Sequence, residues 1–290
     1  MEGTARLRIG TCSWKFPSWQ GLIYSVLGEV DSLREYAQRY DTVEVDRWFW
    51  SRFDLDQVTL PNPEDVERYR ASVSDDFRFT VKAPNSVTLT HLYRASKSEA
   101  LVANPSFLSP RLFKAFLRRL APLYDVLGPV MFQFEYLNRQ KIESQRAFWK
   151  RFAAFVESLP PGYAYALEVR NGQYMNAEHF QSLLAHCVVP VLLQGYWMPP
   201  VWEVYDAHRE LILGQPEVVL RLLGPDRQGI EKQTGKRWHR IVAPKDEELP
   251  RIAEIVNDLL NEGVNVYVNV NNHYEGSAPV TIERLQTLLK

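Results

Sequence analysis

The chain has 290 residues, 46% of them hydrophobic and 24% charged, ordinary globular values that supply a large core and argue against extended disorder. A formal net charge of -1 lacks the broad positive field of nucleic-acid binders, and no run approaches the ~18 apolar residues of a membrane span. The cysteines, Cys12 and Cys187, give neither a disulfide framework nor a CxxC ligand pair; with no signal-peptide pattern in residues 1–10, this predicts a cytoplasmic protein.

Leu7–Cys12 reads as a first strand, followed by an aromatic loop, TCSWKFPSWQGLIYS, and a helix capped by Asp31 that runs to about Tyr40. Thr42–Arg47 is the second strand. Pro63–Val73 is a helix with an acidic first turn, and Phe77–Ala83 a third strand stopped by Pro84. The connection Pro84–Ser109 is long enough to suggest a lid. A helix over Arg111–Leu127 closes at Gly128, Val130–Phe134 is strand four, and Ser144–Leu159 is an amphipathic helix ended by Pro160 and Pro161.

Strand five lies in YAYALEVRNGQ, Tyr163–Gln173, where Tyr165, Leu167 and Val169 alternate with Ala166, Glu168 and Arg170 in the two-residue period of a strand. A helix over Ala177–Cys187, strand six over Val188–Gln194 and a helix over Val201–Leu213 follow. Strand seven is Val218–Leu223, and residues 224–246 form a second long, locally basic connection. Leu249–Asn261 is a helix stopped by Gly263, Val264–Val270 is strand eight, and Pro279–Leu289 is a last helix. Eight strands alternate with about eight helices, without repeat or composition break. The prediction is an α/β fold, a single (β/α)8 TIM-type barrel over residues 1–290 with parallel strands and outer helices.

Strand parity sorts the side chains. Val43, Val45, Phe79, Val81, Phe132, Phe134, Leu167 and Val169 should face the helices. Glu44 and Asp46, Thr80 and Lys82, Gln133 and Glu135, Glu168 and Arg170, Gln194, Arg221, Asn269 and Asn271 should point into the barrel. Several fall at carboxyl ends of strands, where barrel enzymes build their active sites. A salt-bridge layer that merely fills the interior would use the same charges. As a site, Glu168 or Glu44 would serve as acid or base, and a carboxyl crowded by a neighbouring one could keep its proton. Lys82, Arg170 and Arg221 would hold negative charge, with Gln133 also in reach. Carboxylates around Lys82 disfavour the neutral amine that Schiff-base chemistry needs.

The segment VNNHYEG brings Asn271, Asn272 and His273 to the end of strand eight, where amides can bind a sugar-like or phosphate group; a turn cap and a solvated His are the plain reading. A metal would require His273 to join Glu44 and Glu168, an unfavoured grouping, so no metal is expected. Without a GxGxxG fingerprint no cofactor is expected either. Trp14, Phe16, Trp19, Trp48 and Trp50 cluster near strands one and two; Trp14 could offer a stacking surface, though such density more often means packing.

Together IGTCSWKFPSWQGLIY, TVEVDRWFW, FTVKAP, LGPVMFQFEY, YALEVRN and VNNHYEGSAP resemble, in order and spacing, the YecE-like family catalogued as domain of unknown function 72, across about Ile9–Leu289. The resemblance implies a TIM-barrel-like fold, a bacterial or archaeal source and no settled activity. It places Glu44, Lys82, Gln133, Glu168, Arg170, Asn271 and Asn272 at the family's motif positions. Three departures stand out: Asp46, Arg47 and Trp48 where Asn-Ser-Thr is usual, Glu135 and Tyr136 where prolines often follow strand four, and Leu223 where a His commonly precedes the strand-seven Gly. The expected function is carboxylate acid/base chemistry, as a hydrolase, isomerase or lyase, on a small polar, anionic or sugar-like substrate. The alternatives are a noncatalytic ligand-binding barrel and a metal-dependent endonuclease-like barrel. A small-molecule partner is expected, a membrane or nucleic acid is not, and oligomeric state is not legible.

Overall fold

Eight parallel strands close into a barrel in chain order: β1 (Leu7–Cys12), β2 (Thr42–Val45), β3 (Arg78–Lys82), β4 (Leu127–Gln133), β5 (Tyr165–Glu168), β6 (Val189–Gly195), β7 (Glu217–Gly224) and β8 (Asn265–Val270). β1 closes the ring by pairing with both β2 and β8. This computed structural model describes residues 5–25, 31–52, 57–93 and 99–289. Helices α1 (Ser32–Tyr36), α2 (Pro63–Ala71), α3 (Asn85–Thr88), α4 (Pro110–Arg119), α5 (Gln145–Glu157), α6 (Ala177–Ala185), α7 (Val201–Leu213), α8 (Arg227–Thr234), α9 (Glu248–Asn261) and α10 (Ala278–Gln286) fall between and after the strands. The (β/α)8 barrel is the predicted fold.

Local chemistry sets the helix starts. The side chains of Asp31, Ser109, Ser144, Asn176 and Asp226 each accept from backbone N–H groups that the first turn leaves unpaired. Proline opens α2, α4 and α10, where its missing N–H costs nothing. The helix expected over Arg111–Leu127 is shorter: α4 stops at Arg119, Ala121–Val126 is a 3-10 helix, and Gly128 lies inside β4. Pro122 explains the break, since a proline there cannot donate to the preceding turn. The basic connection 224–246 is not all loop, because α8 occupies Arg227–Thr234 within its first half, with Gly235 at its end in the left-handed region, φ 57°. Of the connection Pro84–Ser109, residues 94–98 lie outside the described residues. The rest is packed down, with Asn104 donating to the Ser86 and Leu89 carbonyls.

The core lies between strands and helices. All eight side chains expected on the helix-facing side are buried. On α5, Phe148, Phe152 and Phe155 meet Phe132 and Phe134 in edge-on contacts, Phe134–Phe148 at 5.0 Å between ring centroids. Inside the barrel, Met131, Ala166, Val189, Val191, Val219 and Tyr267 form an apolar plug. The polar residues stand above that plug, toward the carboxyl ends of the strands. β6 corrects one assignment: Val191 and Leu193 point inward and Gln194 outward. There it donates to Glu248 at 2.7 Å and accepts from the Val201 N–H at the start of α7.

Candidate functional site

Register brings the charges level. Glu168, the last residue of β5, pairs with Gln133 at the end of β4, and Arg221 of β7 pairs with Asn269 of β8. Arg221 then reaches across the barrel to Glu44, donating from Nε to Oε2 and from Nη2 to Oε1, each at 2.7 Å. Its Nη1 donates to Glu168 Oε2 and, at 3.4 Å, to Gln133 Oε1. Lys82 Nζ stands 3.0 Å from Glu44 Oε1, and Arg170 Nε donates to Glu168 Oε1 at 3.1 Å. Asn269 Nδ2 completes the layer with bonds to Thr80 at 3.0 Å and Glu44 at 3.3 Å.

Burial makes these pairings obligatory. Glu44, Glu168 and Arg221 are each 1% exposed or less, and an isolated buried charge costs several kcal/mol. Burial pushes the Glu44 carboxyl up, but Arg221 and Lys82 outweigh it and bring it to about 2. For Glu168 the same opposition, burial against Arg221, Arg170 and Lys82, also resolves downward. Both stay ionised. Asp46, two residues beyond Glu44 and just past the end of β2, goes the other way: burial and the Glu44 charge raise its carboxyl, with Lys82 opposing. One mouth therefore holds two carboxylates biased toward ionisation and a third biased toward its proton.

Above this layer opens a cavity of about 360 Å³. Lys82, Arg170, Gln133, Arg221, Asn271 and His273, all expected at the mouth, line it. So do Asp46 and Glu135, which strand parity had turned inward. Phe49, Tyr93 and Tyr196 also line it and carried no sequence signal, because each sits in a connection; Arg227, which opens α8, reaches it from the connection that the sequence marked as locally basic. Lys82 lies 5.8 Å from the Phe49 ring centroid and Arg170 4.7 Å from that of Tyr196, so aromatic faces hold both cations. Glu135 pairs with Lys141. His273 is tied on both sides, Nδ1 to Asn271 and Nε2 to Glu231 at 3.1 Å, and burial lowers its pKa against the pull of Glu231.

Two expected residues lie elsewhere. Trp14 is 3% exposed and packs edge-on against Tyr69 at 5.0 Å, within the core and away from the cavity lining. Asn272 is buried beneath the turn into α10, where its Oδ1 accepts from Ala278 N–H at 2.8 Å. Of the aromatic group, Trp19 and Trp48 are buried as well, whereas Trp50 is exposed on the mouth cavity. Among the described residues no three His, Cys, Asp or Glu side chains are grouped to hold a metal.

A (β/α)8 barrel with an ion-paired, cation-lined mouth at the carboxyl end of its strands is thus the class of protein the fold and site define. The chain belongs to the family described as "Protein of unknown function DUF72", whose model matches residues 8–290. It is 30% identical over 176 residues to "UPF0759 protein YecE" of Escherichia coli (strain K12), covering 60% of this chain and 53% of that one. The chain thus spans about half the length of the curated relatives it matches. Among solved structures, a DUF72 family protein from Enterococcus faecalis V583 aligns with TM-score 0.66 at 19% identity, over 98% of this chain and 95% of that one. Another from Thermotoga maritima MSB8 aligns with TM-score 0.65 at 20% identity, over 98% of both chains. At such identities the likeness is one of fold. Among the described residues no helix is long and apolar enough to cross a membrane.

Proposed function

We propose that the protein is a barrel enzyme acting by acid/base chemistry on a small anionic, polar or sugar-like substrate held in the mouth. The observation that carries this reading is the charge balance of the buried cluster. Three cations, Lys82, Arg170 and Arg221, face the two carboxylates Glu44 and Glu168, and beside them burial raises the proton affinity of Asp46, so the cluster is short of one negative charge whenever Asp46 holds its proton. A phosphate or carboxylate would complete it, and cations held in a partly buried cluster attract an anion more strongly than fully solvated ones.

Roles divide by access. Glu44 has both oxygens engaged by Arg221, Lys82 and Asn269, which suits it to fixing the two cations. Glu168 sits between Arg221 and Arg170 and would act as the ionised base if Arg170, which is part-exposed, swings onto the substrate. Asp46 on the cavity wall would supply a proton, with Lys82 and Arg170 as the direct anion contacts. Two free cysteines, Cys12 buried and Cys187 exposed, support a reducing compartment such as the cytoplasm.

The test is a thermal-shift screen of wild type, Glu168→Gln and Asp46→Asn against sugars, sugar phosphates, inorganic phosphate, nucleotides and divalent metals. A phosphorylated ligand should raise the wild-type melting temperature, and its turnover should fail in both variants. Ligand binding without turnover in any protein would favour the noncatalytic barrel. No shift with any anion, together with a large loss of stability in Glu168→Gln, would reduce the cluster to a structural layer.

A further inference from the structure

A second cavity, of about 720 Å³, adjoins the mouth and shares Glu135, Arg170 and Tyr196 with it. Its own walls are Tyr136, Gly172, Gln173, Trp197 and Met198. Among the described residues five large aromatic side chains are exposed: Trp50, Tyr93, Tyr124, Tyr136 and Trp197. Four of the five line one of these two cavities, Tyr124 being the exception. Trp197 is 94% exposed, so almost nothing in the chain covers its ring. Aromatic surface left bare beside a polar mouth is the usual makeup of a ligand site, apolar walls with a few placed polar groups.

The backbone holds this wall at a cost. Gly195, φ 134°, lies so close to Gly224 that a Cβ would meet the Gly224 nitrogen and oxygen at 2.6 Å. The chain then turns through Tyr196 in the left-handed region, φ 52°, where a bulky residue is strained. That turn lays the Tyr196 ring under the Arg170 guanidinium and delivers Trp197 to the far wall. Arg170 is thereby placed at the boundary of the two cavities, its charge toward the mouth and its plane on an aromatic face.

We propose that the second cavity binds a planar aromatic ring of the same molecule whose anionic group enters the mouth, so that the substrate joins an anion to a flat ring, as aryl phosphates and nucleotides do. This rests on the reading of the mouth as an anion site. A sugar ring is less suited to the second cavity, because its equatorial hydroxyls need partners at the rim. Beyond the shared residues the polar groups of the cavity's described lining are the Gln173 amide, the Tyr136 hydroxyl and the Trp197 indole N–H. A flat ring needs only faces, and Tyr136 and Trp197 present them.

The experiment is calorimetric titration of wild type and Trp197→Ala with inorganic phosphate, ribose 5-phosphate, phenyl phosphate and uridine 5′-monophosphate. Trp197 is exposed, so its removal should leave folding intact. The expected result is that at least one aromatic probe binds wild type about fivefold to tenfold more tightly than phosphate, and that Trp197→Ala removes this advantage without changing phosphate affinity. Phenyl phosphate winning alone assigns an aryl substrate; the nucleotide winning assigns a nucleobase. Phosphate binding with no gain from either ring, or an equal gain from ribose 5-phosphate, overturns the inference and leaves the mouth reading intact. No binding of phosphate or of any phosphorylated probe overturns both.

Discussion

Arg221 grips Glu44 through two parallel hydrogen bonds across the barrel interior, linking residues 177 positions apart in the chain, while its remaining amino group holds Glu168. One guanidinium thereby ties β7 to β2 and β5 and keeps two buried carboxylates ionised. Its planar fork matches a carboxylate's two oxygens, which a lysine ammonium cannot do.

Replacing Arg221 by Met should therefore destabilise the protein by about 3–5 kcal/mol, since it leaves two buried carboxylates facing one another. Arg221→Lys should recover only part of that loss. Urea unfolding checks both; a loss below about 1 kcal/mol for Arg221→Met would mean that Lys82 and Arg170 alone satisfy the carboxylates.

Stability should fall in acid through Glu44. Its folded pKa of about 2 lies below the ordinary 4.5, so between those values the unfolded chain binds the extra proton. The contribution is fully present above about pH 4.5 and is lost as pH drops toward about 2. Glu168 adds in the same direction. Denaturant titrations at several pH values should show this slope in wild type, and a shallower one in Glu44→Gln if that variant folds; equal slopes would sink the assignment.

Asp46 has the opposite sign. Its folded pKa is raised above 3.8, so its share of stability is present below 3.8 and is lost as pH rises through the higher folded value. Ionising it also removes the positive excess of the mouth. Phosphate affinity should decline over that rise in wild type and stay level in Asp46→Asn, as calorimetry across the pH range would read.

Trp14 belongs to the core, so Trp14→Ala should cost about 3–5 kcal/mol of stability through the cavity it leaves against Tyr69. At a temperature where the variant is folded, affinity for any mouth ligand should match wild type. A selective loss of affinity with little loss of stability would return Trp14 to the binding surface.

Gly195→Ala tests the turn that positions Tyr196 and Trp197. The added methyl meets Gly224 backbone at 2.6 Å in a conformation with φ 134°, so both crowding and backbone strain oppose it. A loss of about 2 kcal/mol or more is expected, readable as a lowered melting temperature.

The sequence by itself determined the alternation of strands and helices and, in most strands, which residues face inward. Glu44, Lys82, Gln133 and Glu168 were assignable because each strand carries one apolar and one polar row, and the period of two leaves no other arrangement. β6, reading VPVLLQG, is apolar on both rows until its end, so parity had no phase and Gln194 was turned the wrong way. α8 escaped notice because only Ile230 and Thr234 of its eight residues are buried, too few to make a periodic stripe. Pairing was the tertiary structure's decision alone. Glu44 and Arg221 meet because barrel closure brings β2 and β7 across one interior, a distance relation that no local spacing encodes. The same closure placed Trp14 in the core and set Tyr196 and Trp197 beside Arg170 through two glycines whose close approach exists only when β6 and β7 are paired.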